Sequence, residues 1–253
     1  MLMGIVVVCF VLIPFWIVPT FSGEILKITP LFITNNIGKY VMNSYLKKYK
    51  MIESGNNKVI YTIASKLNSE DINIFVTNDK SINAYALPGK QIILCCGLIN
   101  FADSSNEIAG VLAHEIGHIR AKHPEKRFIS NLGGLLLIGS KHNDSLGFVT
   151  SITQAFVDSA YSRKDENTAD VFATKILHKA GIKTTALANF FKKAQKKYEK
   201  DSASNSKVLS YFSSHPETSE RIKLFQEEGE SKEILSPHEW KEFKNMCKAI
   251  KLE

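Results

Sequence analysis

The residue types best suited to chemistry in this 253-residue chain are gathered in Ala113-His114-Glu115-Ile116-Gly117-His118. The surrounding run reads as helix. On a helix, positions i and i+4 share a face, so His114 and His118 can both turn an imidazole toward one ion. Two histidines at this spacing are a common half of a zinc site. Glu115 sits about 100° further round the helix, where its carboxylate reaches a water beside the ion without ligating the ion itself. Zinc lowers the pKa of such a water to about 7, and a carboxylate can take its proton as the water attacks a carbonyl. The chemistry indicated is metal-assisted peptide hydrolysis. The competing reading is a surface helix that happens to carry two histidines.

A third ligand is offered by a second helical run, Lys164-Asp165-Glu166-Asn167-Thr168-Ala169-Asp170. Glu166 could complete a set of two histidines and one glutamate, leaving a fourth position open for water. Asp170, one turn on, could accept the outer N–H of a ligating histidine and hold its tautomer. By itself this spacing describes a solvated acidic face equally well; the histidine pair gives it weight. His123 falls off the ligand face of a continuing helix and is left outside the site.

These side chains need elements to position them. Apolar residues at helical spacing predict helices from Pro30 to about Met51 and from Lys58 to Leu67. The pattern then shortens to strands at Ile72–Val76, Asn83–Leu87 and Gln91–Leu94, the last two paired across Pro88-Gly89, with a turn at Asp79-Lys80-Ser81. Ser104 and Glu107 form a capping-box pattern ahead of the histidine-bearing helix, which Pro124 stops. Its small residues Gly110, Ala113 and Gly117 would admit another helix closely. Phe128–Gly139 is apolar but too short to span a bilayer alone, and Leu146–Ala160 again has helical spacing; core packing, a lid and a membrane contact all fit that region. Ser236-Pro237-His238-Glu239 opens a terminal helix with its own capping box. The expected fold is α+β: a mostly helical domain with a small sheet of about three strands beside the histidine-bearing helix. An edge strand there could pair with an extended substrate.

Apolar content is ordinary for a globular chain, and the net charge is +7. The lysines are spread over helices, as on a solvated face; an anionic membrane surface is the main alternative, and no motif supports nucleic-acid binding. Cys9, Cys95, Cys96 and Cys247 contain no C-x-x-C pair. Cys95 and Cys96 are expected as small packing residues on opposite faces of one strand, and a full disulfide framework is not expected. Residues 1–23 carry no charged side chain. They read as a cleaved signal peptide, an uncleaved anchor or a buried helix, with Pro14 and Pro19 disfavouring a continuous span.

Taken together the chain resembles the M48 family of zinc metallopeptidases, a gluzincin group. The resemblance rests on Asn83-Ala84-Tyr85-Ala86-Leu87-Pro88-Gly89, on Val111 to His118, on Tyr161 to Asp170, and on Ser214-His215-Pro216 followed by Arg221, and it covers roughly residues 30–225. It is similar to the single-domain extracytoplasmic branch, the periplasmic quality-control peptidases and their mitochondrial counterparts. The resemblance implies an α+β zincin-like domain with one Zn²⁺ per chain. It implies His114, His118 and Glu166 as metal ligands, Glu115 as general base and Asp170 as a support. His215 matches a histidine close to the metal in relatives, where it could cover the open position, stabilise an oxyanion or simply order its turn. Arg221 is expected near Glu166, near the substrate or in a structural ion pair. The implied organisation is a leader or anchor at 1–23, a peptidase domain at 24–225 and a tail with a capping helix at 226–253. The implied activity is endoproteolysis of unfolded or misfolded envelope proteins outside the cytosol. A latent zinc-bound, chaperone-like binding protein is the alternative, and a structural membrane-associated protein a further one.

Overall fold

The computed structural model describes residues 20–52, 57–139, 159–201, 211–215, 219–225, 227, 229 and 231–248. Two helices lead, α1 (Ser22–Ile28) and α2 (Leu31–Leu46), the second starting directly after Pro30, its N-cap residue, whose backbone is extended. α3 (Asn57–Lys66) follows. Then come the strands β1 (Asn73–Thr77), β2 (Ala84–Leu87) and β3 (Gln91–Cys95). The remaining helices are α4 (Cys96–Phe101), α5 (Ser105–Arg120), α6 (His123–Gly139), α7 (Arg163–Lys179), α8 (Thr185–Asp201), α9 (Tyr211–Ser214), α10 (Ser219–Leu224) and α11 (Pro237–Lys248). The class is α+β, mostly helical with one small sheet, as the sequence pattern leads one to expect.

The sheet is mixed, in the order β1-β3-β2. β1 runs parallel to β3, and β2 returns antiparallel beside it, with Tyr85 opposite Ile93. The β2–β3 turn is made possible by Gly89 and Lys90 in left-handed conformations, φ +77° and +58°. An Asp79 side chain accepts from Ser81 N–H at 2.8 Å and shapes the turn after β1. Every residue of β3 is buried. Successive side chains point to opposite faces of a strand, so Ile92 and Leu94 join the main core while Ile93 and Cys95 face a second cluster with Val41, Met42 and Tyr45 of α2 and Phe128 of α6. A strand covered on both faces reads as a continuous apolar run rather than an alternation.

The main core is built around α5, whose residues Ser105 to Ile119 are all buried. The sheet lies along it through β2, and α7 and α8 pack against it. Gly117 is the point of closest approach: a Cβ there would lie 2.6 Å from the Ala169 carbonyl oxygen of α7. The close helix contact expected from the small residues is thus present.

Three local expectations need correcting. Cys96 does not continue the strand; it opens α4 and forms a disulfide with Cys247 of α11, while Cys95 remains a free, buried thiol. The Ser104–Glu107 box is displaced by one residue: Ser104 Oγ accepts from Glu107 N–H, but the Glu107 carboxylate accepts from Asp103 N–H. The helix carrying the histidine pair ends at Arg120, before Pro124 is reached, and Lys122 at φ +57° reverses the chain into α6. The terminal box, by contrast, is complete: Glu239 N–H donates to Ser236 Oγ and Ser236 N–H to Glu239 Oε2. Most of the 1–23 segment and of the 146–160 helix lies outside the described residues. Among those described, no helix is long and apolar enough to cross a membrane.

Candidate metal centre

Four elements converge on one buried point. α5 supplies His114, Glu115 and His118; α7 supplies Glu166 and Asp170; His215 follows α9; and Arg221 lies on α10. α7 is aimed by its N-terminus, where Ser162 Oγ accepts from Asp165 N–H at 3.2 Å and starts the helix one turn before Glu166. All of these side chains are buried.

One ligand atom from each of His114, His118, Glu166 and His215 falls within a group no more than 4.8 Å across. His114 Nε2 lies 3.0 Å from His118 Nε2 and 3.4 Å from Glu166 Oε2. His118 Nε2 lies 3.5 Å from Glu166 Oε1. His215 Nδ1 lies 3.3 Å from His114 Nε2 and 3.0 Å from Glu166 Oε1. Ligands held about 2.0–2.1 Å from a tetrahedral zinc ion are roughly 3.3 Å from one another, so the 3.0–3.5 Å separations are close enough for these side chains to share one small divalent ion. Two further observations fit a divalent cation. Glu115 Oε1 is buried without a hydrogen-bond partner, with His215 Nε2 3.4 Å away. The carboxylates of Glu166 and Asp170 share the buried guanidinium of Arg221, while the Glu115 carboxylate is buried nearby; among the described residues Arg221 is the one buried guanidinium or ammonium group, and buried charge this unbalanced is costly unless a cation compensates it.

The supporting contacts are specific. Asp170 Oδ1 lies 2.9 Å from His114 Nδ1, the ring nitrogen turned away from the ligand group. Arg221 grips Asp170 with Nε and Nη2, at 2.6 and 2.8 Å, and its Nη1 lies 2.8 Å from Glu166 Oε2. Of the roles open to Arg221 in the sequence, the structure shows the contact with Glu166 and adds one with Asp170. Glu115 Oε2 accepts from Ala86 N–H of β2 at 3.0 Å, which fixes the carboxylate against the sheet. Among the described residues β2 pairs only with β3, so it is an edge strand beside α5, the helix that carries the histidine pair.

Two residues escaped the sequence reading. His123 Nδ1 lies 2.9 Å from His118 Nδ1. The helical-wheel argument placed it off the ligand face, but that argument holds only while the helix continues, and the reversal at Lys122 brings His123 back. Tyr161 stacks on His118 with ring centroids 3.8 Å apart and planes 22° from parallel, and the Arg127 guanidinium covers it at 4.0 Å. Its place in the motif before Ser162 was visible, but nothing local told which ring it would meet. His215 is itself stacked on Tyr211, centroids 4.6 Å apart.

The titration behaviour follows from this crowding. Burial pulls His114 down, but hydrogen bonds to Asp170 and Glu166 outweigh it and raise the group to about 10. Burial drives His118 well below its ordinary value and pushes Glu115 up. Burial also pushes Glu166 up, yet the three surrounding histidines hold it well below the usual carboxylate range. A cation, whether proton or metal, is what these groups favour between them.

The comparisons agree with this geometry. A family model described as Peptidase family M48 matches residues 50–228. "Mitochondrial metalloendopeptidase OMA1" of Arabidopsis thaliana is 28% identical over 163 residues, covering 64% of this chain and 32% of the relative. "Metalloprotease LoiP" of Escherichia coli (strain K12) is 27% identical over 171 residues, 63% of each. A "Putative beta-barrel assembly-enhancing protease" of Vibrio cholerae is 28% identical over 200 residues, covering 72% of this chain and 38% of the relative. The chain spans less than two thirds of the length of each of these relatives.

Proposed function

The chain belongs to peptidase family M48, and on that premise we propose that it is a zinc-dependent metalloendopeptidase with one Zn²⁺ held by His114, His118 and Glu166. The observation that carries the reading is the convergence of buried donor atoms within 4.8 Å of one another beside the Glu115 carboxylate. When bound, the ion would polarise the scissile carbonyl and make a neighbouring water acidic. Glu115 takes the water proton as attack proceeds and delivers it to the leaving amine. Ala86 N–H holds Glu115 in place for that transfer. Asp170, gripped by Arg221, keeps His114 in the tautomer that presents Nε2 to the site. An extended substrate adds along the edge of β2, next to these groups.

His215 gives the reading its second half. Its Nδ1 stands where a fourth ligand would, and a zinc site with four protein ligands has no position for water. We read this as a latent arrangement: His215 must withdraw before a substrate carbonyl can approach. The same contact is what favours the alternative, a zinc-bound, chaperone-like protein that seldom cleaves.

Unfolded or misfolded envelope proteins are the proposed substrates, supported by relatives named as metalloproteases and a beta-barrel assembly-enhancing protease. The proposed site of action is outside the cytosol. The charge-free residues 1–23 support it as a signal peptide or anchor, and so does the Cys96–Cys247 disulfide, since such bonds persist in oxidising compartments. Contact with a membrane surface belongs to the same proposal. The peptidase unit is drawn at 24–225, with 226–253 as a tail whose helix is tied back to α4.

The test uses the full chain, its zinc content and cleavage of an unfolded protein. Wild type should hold one zinc per chain. Glu115→Gln should retain the zinc and lose cleavage by about 10²–10⁴-fold. His215→Ala should cleave several-fold faster than wild type. Equal cleavage by wild type and E115Q would sink the mechanism. Stoichiometric zinc with no cleavage by wild type or H215A would establish the binding-protein alternative.

A further inference from the structure

The two histidines of the helix are supported differently. His114 meets a carboxylate directly, Asp170 Oδ1 at 2.9 Å. Among the described residues, His118 has no carboxylate at its outer nitrogen. Its Nδ1 instead lies 2.9 Å from Nδ1 of His123, a residue that is only 7% exposed. His123 Nε2 in turn lies 3.5 Å from Asp165 Oδ1, and the other oxygen of that carboxylate accepts from Ser162 Oγ at 2.6 Å. Lys126 Nζ, on the same helix as His123, stands 3.6 Å from the same Asp165 oxygen.

Hydrogen-bond bookkeeping assigns every proton in this chain. If His118 presents Nε2 to the ion, as the 3.0–3.5 Å contacts of that atom indicate, its remaining proton is on Nδ1. Two imidazole nitrogens 2.9 Å apart form a hydrogen bond only when one donates and the other accepts. His118 Nδ1–H is the donor, so His123 Nδ1 carries the lone pair and the His123 proton resides on Nε2, facing Asp165. We propose that His123, oriented by Asp165, is the positioning residue of the second metal ligand: it locks the tautomer of His118 through an imidazole-to-imidazole hydrogen bond. The inference rests on His118 being a metal ligand.

The arrangement has a consequence for the site. A carboxylate behind a ligating imidazole makes that ligand more basic; a neutral imidazole does so less, because only a dipole and a more distant charge act. His114 is therefore the stronger donor and His118 the weaker one. Geometry is secured on both sides, since Tyr161 stacks on the His118 ring while His123 fixes its rotation. His123 sits at the first position of α6, directly after the reversal at Lys122, so the start of that helix is tied to the metal site through one hydrogen bond.

The experiment measures zinc affinity of the full chain by competition with a chromophoric chelator. His123→Ala should weaken zinc binding about 10–100-fold, the usual cost of losing such a partner. His123→Gln, whose amide oxygen can accept from His118, should recover most of the loss. Asp165→Asn should weaken binding in the same direction, with the Ser162 contact kept. The melting temperature of the zinc-free chains separates positioning from mere packing. A structural role would lower it in H123A and leave the zinc affinity of the folded molecules unchanged, which would overturn the inference. If H123A fails to fold, H123Q and D165N carry the comparison. ¹H–¹⁵N spectra of the zinc-loaded chain supply an independent readout: the His123 proton is expected on Nε2, and finding it on Nδ1 overturns the assignment. A wild-type chain that binds no zinc would overturn the metal reading itself; zinc held equally by wild type and H123A overturns this inference alone.

Discussion

At the scale of single residues, the proposed zinc site sets a proton and a metal in competition for one buried cluster. In the metal-free protein His114 is raised from its ordinary 6.5 to about 10, against the pull of burial, by Asp170 and Glu166. A group raised on folding stabilises the folded state fully below its unfolded pKa and loses that contribution as pH climbs through the folded value. Metal-free protein should therefore lose stability between about pH 6.5 and 10. Zinc must displace the same proton, so its apparent affinity should rise with pH across that window, by up to about tenfold per unit. Melting of the metal-free chain and chelator competition, each as a function of pH, check the two halves. A zinc affinity flat over this range would show that His114 does not carry the competing proton.

At the scale of elements, the decisive contact is between α5 and α7, because each carries part of the ligand set. Gly117 lets them meet: a Cβ there would stand 2.6 Å from the Ala169 carbonyl oxygen and 3.0 Å from its Cα, both backbone atoms that cannot swing aside. Alanine normally favours a helix over glycine by about 1 kcal/mol, but overpacking costs about 1–3 kcal/mol. Gly117→Ala is expected to destabilise the protein by up to about 2 kcal/mol in chemical denaturation. It should also weaken zinc retention, since the helices separate where Glu166 faces His118. Unchanged stability and zinc binding would mean that the α5–α7 distance is not limiting. The N-terminus of α5 is held as firmly: Asn106 N–H donates to Glu233 Oε2 at 3.2 Å, and Asn106 Nδ2 donates to the Lys232 carbonyl oxygen.

At the scale of the whole molecule, the C-terminal segment acts as a brace. α11 packs on α4, Phe243 is fully buried, and Cys247 is bonded to Cys96, 151 residues away in sequence. Closing a loop of that length removes enough freedom from the unfolded chain to stabilise the fold by on the order of 4–5 kcal/mol in the loop-entropy account. Reduction, or the paired change of Cys96 and Cys247 to Ser, should lower the melting temperature markedly. Residual zinc should still bind to molecules that remain folded, because neither cysteine belongs to the ligand set. Melting under oxidising and reducing conditions checks this; coincident curves would show that packing of α11 alone suffices.

The sequence by itself determined whatever depends on short spacing. Helical repeat geometry puts His114 and His118 on one face and Glu166 one turn from Asp170, so the placing of the histidine pair, the capping box at Ser236 and the edge hairpin around Pro88-Gly89 were legible from neighbouring residues alone. The α+β class followed from the change of period near residue 72. Tertiary structure decided what depends on chain reversals and on contacts between distant segments. The turn at Lys122 returned His123 to His118, from which helical extrapolation had turned it away. The break after Cys95 converted Cys96 from a strand residue into a disulfide partner. The approach of α9 and α10 put His215 beside His114 and Glu166 and Arg221 between two carboxylates. Local periodicity encodes direction only while an element continues; where it ends, the course of the chain is set by packing of the whole core.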